Sequence, residues 1–307
     1  MTTGTVRIGI SGWRYPPWRG GFYPPKLPQR QELAFASRQL PSIEINASFY
    51  GLQRPSSYLN WHDATPDGFV FAVKGPKEIT HARRLQDVRS PLADFFASGV
   101  LALRAKLGPV LWQLPPQLAF DAERLAAFFS MLPHDTDAAR TLARGHDARL
   151  GDVTWLKATP PRPLRHAVEV RHESFADPAF IALLRTHRIA LVVADTARRW
   201  PLLEDVTADF VYLRLHGDAQ LYASRYGDAA LDDWARRIDA WRHGRQVPDA
   251  RLAAPHAAAP GRAGRDVYCY FDNTADGHAP YDAARLAGRI GLPVPLSSPV
   301  SAVASAS

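Results

Sequence analysis

Cysteine is almost missing from this 307-residue chain, with Cys269 its single representative. No intramolecular disulfide can form, and a zinc site built on thiolates is excluded. Cys269 lies in an apolar run and is expected in the core. Long hydrophobic stretches are missing as well, since nowhere do eighteen or more apolar residues stand together, and the opening MTTGTVRIGI shows no charged leader before an apolar segment. Those absences argue against a spanning helix or a secretory signal, and predict a cytoplasmic protein with no membrane partner. Glycine-rich GxGxxG and P-loop fingerprints and the GxSxG elbow are also lacking, so nicotinamide, ATP and serine-hydrolase chemistry have no support in the sequence.

What is present is ordinary for a globular protein, with 46% hydrophobic and 22% charged residues. Lysine and arginine outnumber acids, for a formal net charge of +7. Such an excess invites a polyanionic partner. It is nevertheless spread over Arg14, Arg19, Lys26 and Arg30 and over Arg242, Arg245, Arg251, Arg262 and Arg265, with no unbroken basic run. A diffuse, solvated surface is the plainer meaning.

Short β-branched or aromatic runs closed by polar residues predict strands over residues 6–11, 42–48, 69–74, 109–114, 166–171, 189–195, 210–216 and 267–273. Helical patterns fall between them at 30–39, 56–64, 91–106, 122–131, 178–187, 230–243 and 279–290, while 196–209 has few helical repeats and reads as an irregular crossover. Parallel neighbours require long crossovers. Eight such units predict an α/β fold, a parallel eight-stranded (β/α)8 barrel, occupying 1–292 as a single domain. Two insertions, about 133–165 and 245–265, precede strands and so belong to the helix-to-strand side. Residues 293–307, rich in Ser, Ala and Pro, are expected to be disordered.

Side chains alternate across a strand, so one parity faces the barrel axis. Polar residues choose that parity here. Glu44 and Asn46 alternate with Ile43 and Ile45, Lys74 follows Val73, and Glu169 and Arg171 flank Val170. Arg214 and His216 flank Leu215, and Tyr270 and Asp272 flank Phe271. Ser11, Gln113 and Asp195 stand as polar residues near the ends of their own strands. Barrel enzymes assemble their sites at this C-terminal face. Four acids (Glu44, Glu169, Asp195, Asp272) against three bases (Lys74, Arg171, Arg214) nearly balance, so mutual pairing is the bland alternative. Desolvating so many ions costs several kcal/mol each, which makes stability alone a poor reason for them and favours a functional pocket.

Glu44 and Glu169 are read as the acid and base, with structural charge balance as their other role. Lys74 is a Schiff-base or anion-binding lysine, and Asp195 and His216 complete the catalytic set. Arg171 and Arg214 suit a carboxylate or phosphate. Trp13, Asn46, Tyr50, His81, Gln113, His172, Tyr270, Asp272 and Asn273 are the remaining candidate substrate contacts. No cofactor is predicted. A divalent metal is not favoured, because of His81, His172 and His216 only the last lies on an inward strand position. The first loop mixes Trp13, Tyr15, Trp18, Phe22 and Tyr23 with Arg14, Arg19 and Lys26. That mixture suits either a plug over the barrel or a surface that stacks bases.

Several blocks in order resemble the YecE-like family of TIM-barrel proteins, domain of unknown function 72. They include GISGWRYPPWRGGFYP (9–24), SIEINASFYGL (42–52), FVFAVKGPKEITHARRL (69–85), VLWQLPPQL (110–118), VEVRHESF (168–175), VYLRLHG (211–217) and YCYFDNTADGHAPYDAARL (268–286). The resemblance implies the barrel and a shared pocket, and carries no reaction to transfer. Asp272 and Asn273 stand where the family pattern more often has two asparagines. The residues themselves support an enzyme acting on a small anionic substrate, phosphorylated or carboxylated, by acid–base chemistry. A barrel that binds nucleic acid or processes phosphodiesters, and a noncatalytic metabolite-binding protein, are the alternatives.

Overall fold

A computed structural model describes residues 3–151 and 153–293, without the side chain of Arg149. All but the first residue of the tail expected to be disordered lies outside the described residues. The strands are β1 Val6–Ser11, β2 Ser42–Ile45, β3 Val70–Lys74, β4 Leu107–Gln113, β5 His166–Glu169, β6 Ala190–Asp195, β7 Phe210–Leu215 and β8 Asp266–Phe271. Each pairs in parallel with the next, and β8 closes onto β1 along Val6 to Ile10 opposite Val267 to Phe271. The fold is therefore the eight-stranded parallel (β/α)8 barrel.

Helices on the outside are α1 Glu32–Gln39, α2 Ala47–Tyr50, α3 Pro55–Ala64, α4 Arg89–Ala97, α5 Ala122–Met131, α6 Thr136–Ala143, α7 Pro178–Thr186, α8 Asp228–Arg242 and α9 Ala279–Arg289. Local chemistry sets their starts. Asp121, Asp135 and Asp177 accept a backbone N–H from the first turns of α5, α6 and α7, and proline opens α3, α7 and α9.

Boundaries depart from the sequence reading in four informative places. The strand expected over 42–48 stops at Ile45, where Asn46 turns into the right-handed helical region and α2 begins. The strands expected to 171 and 273 end at Glu169 and Phe271, so Arg171 and Asn273 ride on loops. The long helix expected over 91–106 breaks at Gly99, whose φ of 118° interrupts α4, and a 3-10 segment Val100–Lys106 follows. Helix α6, inside the first insertion, was not expected.

The crossover 196–209 carries no helix, as its sequence suggests. Its backbone is tied down instead by Thr207, whose hydroxyl donates to Ile189 O and accepts from Leu191 N. The carboxylates of Glu204 and Asp205 accept backbone N–H groups from Arg251, Ala253 and Ala254 in the second insertion. Two irregular segments thus satisfy each other's polar groups.

Outward strand residues such as Ile8, Ile43, Phe71, Val193 and Leu213 join the helices in one continuous apolar layer. Inside the barrel a second cluster stacks Val70, Ala72, Leu111, Val192, Phe210 and Tyr212 with Tyr268 and Tyr270. This inner packing fills the barrel from its N-terminal end and leaves only the upper layer polar. Among the described residues no helix is long and apolar enough to cross a membrane.

Candidate active site

Arg214, projecting inward from β7 and 1% exposed, is the hub of the polar layer. Its Nε and Nη2 donate to the two oxygens of Glu44 on β2 at 3.1 and 2.9 Å, and Nη1 donates to Glu169 Oε2 on β5 at 2.6 Å. Nη2 also reaches Asp272 Oδ2 at 2.8 Å. Glu44 is further held by Ser11 Oγ and the Tyr212 hydroxyl, both donating at 2.7 Å. Below, Tyr270 meets Ser42 Oγ at 2.8 Å and closes the floor. Tyr270 is thus floor rather than rim.

Around this centre stand further polar groups, from the fully buried His216 to the partly exposed Asn46, Arg171 and His81. Arg171 donates from Nε to Glu169 Oε1 at 2.8 Å and from Nη2 to the Tyr222 hydroxyl at 3.2 Å, with its guanidinium 3.9 Å from the ring centre of Trp200. His216 Nδ1 lies 3.1 Å from Asp272 Oδ2 but off the line of a hydrogen bond. Asn46 Nδ2 donates to Ser11 Oγ at 2.8 Å, while its Oδ1 has no partner. Lys74 ends β3 and donates from Nζ to Gln113 Oε1 at 2.7 Å, over the face of Phe49 at 4.0 Å. His81, on the π-helical turn Glu78–Ala82, packs edge-on to Phe49 and brings Nε2 to 3.5 Å from Gln113 Nε2.

The electrostatics divide these groups in two. Burial pushes the Glu169 carboxyl up, yet Arg214 and Arg171 outweigh it and hold it far below the ordinary carboxylate range. Asp272 follows the same balance, with burial opposed by Arg214 and by His216, and comes to about 2. Glu169 is thus a paired, fixed anion, ill suited to exchange protons near neutrality, and both oxygens of Glu44 are taken up by hydrogen bonds from Arg214, Ser11 and Tyr212. The acid–base pair expected of Glu44 and Glu169 is therefore not what this geometry favours. Burial first, then Arg214, lowers Lys74 to about 8. Burial, then Lys74 and Arg171, lowers His81 to about 4.

Other expected residues lie elsewhere. The inward face of β6 is Ala190, Val192 and Ala194, so Asp195 points away from the axis and accepts from the Tyr226 hydroxyl at 3.0 Å. With Asp195 removed, the interior charges are three carboxylates against Lys74, Arg171 and Arg214. Asn273 has the parity opposite to Asp272 and donates to Asp282 Oδ2 and Ser224 O beside α9. Trp13 is 6% exposed and packs on Trp61 and Phe71 in the outer layer. His172 accepts from Ser174 N as a local cap. Tyr50 is 72% exposed at the rim.

In the first loop Trp18, Phe22 and Tyr23 are buried against one another and Phe35, and present no open stacking face. Among the described residues no three His, Cys, Asp or Glu side chains gather as a metal-binding set. The site residues to which the sequence reading gave no role are Phe49, Trp200, Tyr212 and Tyr222. Strand parity marks Tyr212, whereas Phe49 and Tyr222 sit in connections with no such signal.

A family model described as "Protein of unknown function DUF72" matches residues 7–302. The UPF0759 protein YunF of Bacillus subtilis is 30% identical over 126 residues, covering 39% of this chain and 44% of that protein. The UPF0759 protein YecE of Escherichia coli strain K12 is 28% identical over 187 residues, 54% of this chain and 64% of that one. The chain therefore spans about half the length of the curated relatives it matches. A DUF72 family protein of Thermotoga maritima has a similar structure, with a TM-score of 0.67 at 22% identity over 92% of this chain and 98% of that one. Another, from Enterococcus faecalis, gives 0.64 at 16% identity over 95% and 100%. At these identities the likeness is one of fold.

Proposed function

The chain belongs to the DUF72 family, and we propose that it is an enzyme that binds a small anionic substrate at the C-terminal end of the barrel and moves a proton with Lys74. The observation that carries this reading is the state of Lys74, a buried amine that feels the charge of Arg214 and is bonded to the neutral Gln113. An amine lowered to about 8 is neutral in about a tenth of molecules at pH 7, enough to serve as a base near neutrality.

Each neighbour has a role in the same scheme. Arg214 is saturated by Glu44, Glu169 and Asp272 and holds the layer beneath the ligand in one geometry. Arg171 has donors beyond those spent on Glu169 and Tyr222, and suits the carboxylate or phosphate of the ligand. Asn46 Oδ1 is an unpaired acceptor for a substrate hydroxyl. His81, neutral at pH 7, keeps Lys74 free of a competing charge and offers a ring nitrogen to the substrate. A proton taken from the substrate passes to Nζ, and the resulting ammonium and Arg171 stabilise the negative charge left behind.

A thermal-shift screen of the full chain against small phosphorylated and carboxylated metabolites tests this. Hits are then followed for turnover by NMR in wild type, Lys74→Met and Arg171→Met. A ligand that binds only the native state raises the unfolding temperature. Lys74→Met should keep binding and lose about a hundredfold or more in rate, as removal of a general base does. Arg171→Met should weaken binding. Equal turnover in wild type and Lys74→Met would exclude the proposed base.

A further inference from the structure

At the opposite end of the barrel, a cavity of about 510 Å³ opens between the two insertions. Its floor is the N-terminal rim of the barrel at Leu107, Gly108, Ala208 and Tyr268, and its walls come from the chain around Arg162 and around Pro260. Five arginines line it (Arg162, Arg165, Arg185, Arg188 and Arg262), with His134, against the single carboxylate of Asp209.

Two of the five are already spoken for. Arg165 pairs with Asp209 at 2.9 Å and Asp266 at 2.7 Å, and Arg185 donates to the carbonyls of Val206 and Ala257. Arg162, Arg188 and Arg262 are exposed, and no carboxylate among the described residues lies within ion-pair distance of them. Behind the wall the imbalance deepens. Arg265 is 2% exposed, and its Nε and Nη1 have no hydrogen-bond partner. Its remaining nitrogen donates to Pro260 O in the cavity wall. A buried, half-satisfied guanidinium that also feels the charge of Arg262 costs free energy unless an anion is drawn in.

We propose that this cavity is a second ligand site, for a compact phosphate compound carrying several negative charges. Guanidinium forks match tetrahedral oxyanions, and three unpaired forks around one hollow call for more than one charge. The shape argues against a nucleic-acid strand. The aromatic at the adjoining hollow, Trp155, is 7% exposed, with Lys157 and Arg104 over its ring at 5.0 and 5.8 Å, so it offers no stacking platform. The proposal does not rest on the chemistry assigned to Lys74 at the other end.

Calorimetric titration of the full chain with tripolyphosphate, inorganic phosphate, citrate and a short single-stranded oligonucleotide tests it. Tripolyphosphate should bind most tightly and inorganic phosphate more weakly. Arg162→Gln, Arg188→Asn and Arg262→Gln should each lose about tenfold in affinity, the worth of one charge-assisted contact. These arginines make no ion pairs, so the variants should keep the wild-type unfolding temperature. The loss on each of these substitutions should be the same in an Arg171→Met background, which removes the phosphate-binding arm proposed for the far end. No tripolyphosphate binding, or binding indifferent to the three substitutions, overturns the site. Tighter binding of citrate or of the oligonucleotide overturns the assigned class of ligand.

Discussion

Lys74 Nζ rests 2.7 Å from the side-chain oxygen of Gln113. No carboxylate among the described residues is within ion-pair distance of that amine, although Glu44, Glu169 and Asp272 lie in the same layer. All three face Arg214 instead.

Burial of that amine gives a pH dependence of definite sign. Its folded value of about 8 lies below the ordinary 10.5, so between these limits the unfolded chain binds more protons. The cost is felt in full below pH 8 and relieved as pH rises toward 10.5. Lys74→Met should be more stable than wild type at pH 7 by about 1–3 kcal/mol, with the advantage shrinking across that window. Urea denaturation at pH 7 and pH 10 measures both. A variant less stable than wild type at pH 7 contradicts it.

The carboxylates give a slope of the same sign at lower pH, as a contribution to stability rather than a cost. Glu169 and Asp272 are held below their ordinary 4.5 and 3.8. Their contribution to stability is present above about pH 4.5 and is lost as pH falls toward about 2. Glu169→Gln should flatten the acid limb of the stability curve. Arg214→Met takes the guanidinium from Glu44 and Asp272 and leaves Glu169 with Arg171 alone, and should lose about 3–5 kcal/mol, with partial recovery when Glu44→Gln is added. An Arg214→Met chain as stable as wild type at pH 7 rules out the hub.

Gly75 follows Lys74 and leaves no room for a side chain. A methyl group there would come within 2.3 Å of Trp112 Cζ3. The indole cannot easily retreat, since it donates to His166 Nδ1 at 3.1 Å and packs on Phe95 and Phe128. Gly75→Ala should lose about 1–3 kcal/mol and alter the near-ultraviolet circular dichroism. An unchanged melting temperature and spectrum would show that the loop yields.

Trp200 lies against the Arg171 guanidinium, so an anion captured by Arg171 should change its fluorescence. That change should vanish in Trp200→Phe. Trp200→Ala should weaken anion binding by about 0.5–2 kcal/mol, the range of a cation–π contact. Ligand affinity unaltered in Trp200→Ala would count against Arg171 as the anion-binding arm.

Much of the site was legible because period-two alternation is strong where one strand face is apolar. Glu44, Lys74, Gln113, Glu169, Arg214 and Asp272 all share the inward parity, as their hydrogen bonds show. On β6 both faces are apolar, so parity carried no information, and Asp195 was assigned inward merely as the polar residue at the strand's end. The helix over Thr136–Ala143 had a readable start in Asp135 and a buried stripe at Ala139 and Ala143, but the segment was read only as part of a long insertion. The proton affinities were beyond sequence. Which carboxylates Arg214 satisfies, and hence which base is left without one, depends on distances across the barrel.

One guanidinium on β7 ties together strands that are not neighbours, reaching β2 and β5 as well as the end of β8. These partners are 170, 45 and 58 residues away along the chain. Glu44 and Lys74 come from the first half of the sequence, and their keystone from the second. A fragment ending after β4 would carry an interior carboxylate without the guanidinium that holds it, and so should resist folding until the later strands arrive. Ring closure and assembly of the chemistry then become one cooperative event, and a cut at either seam should abolish both together.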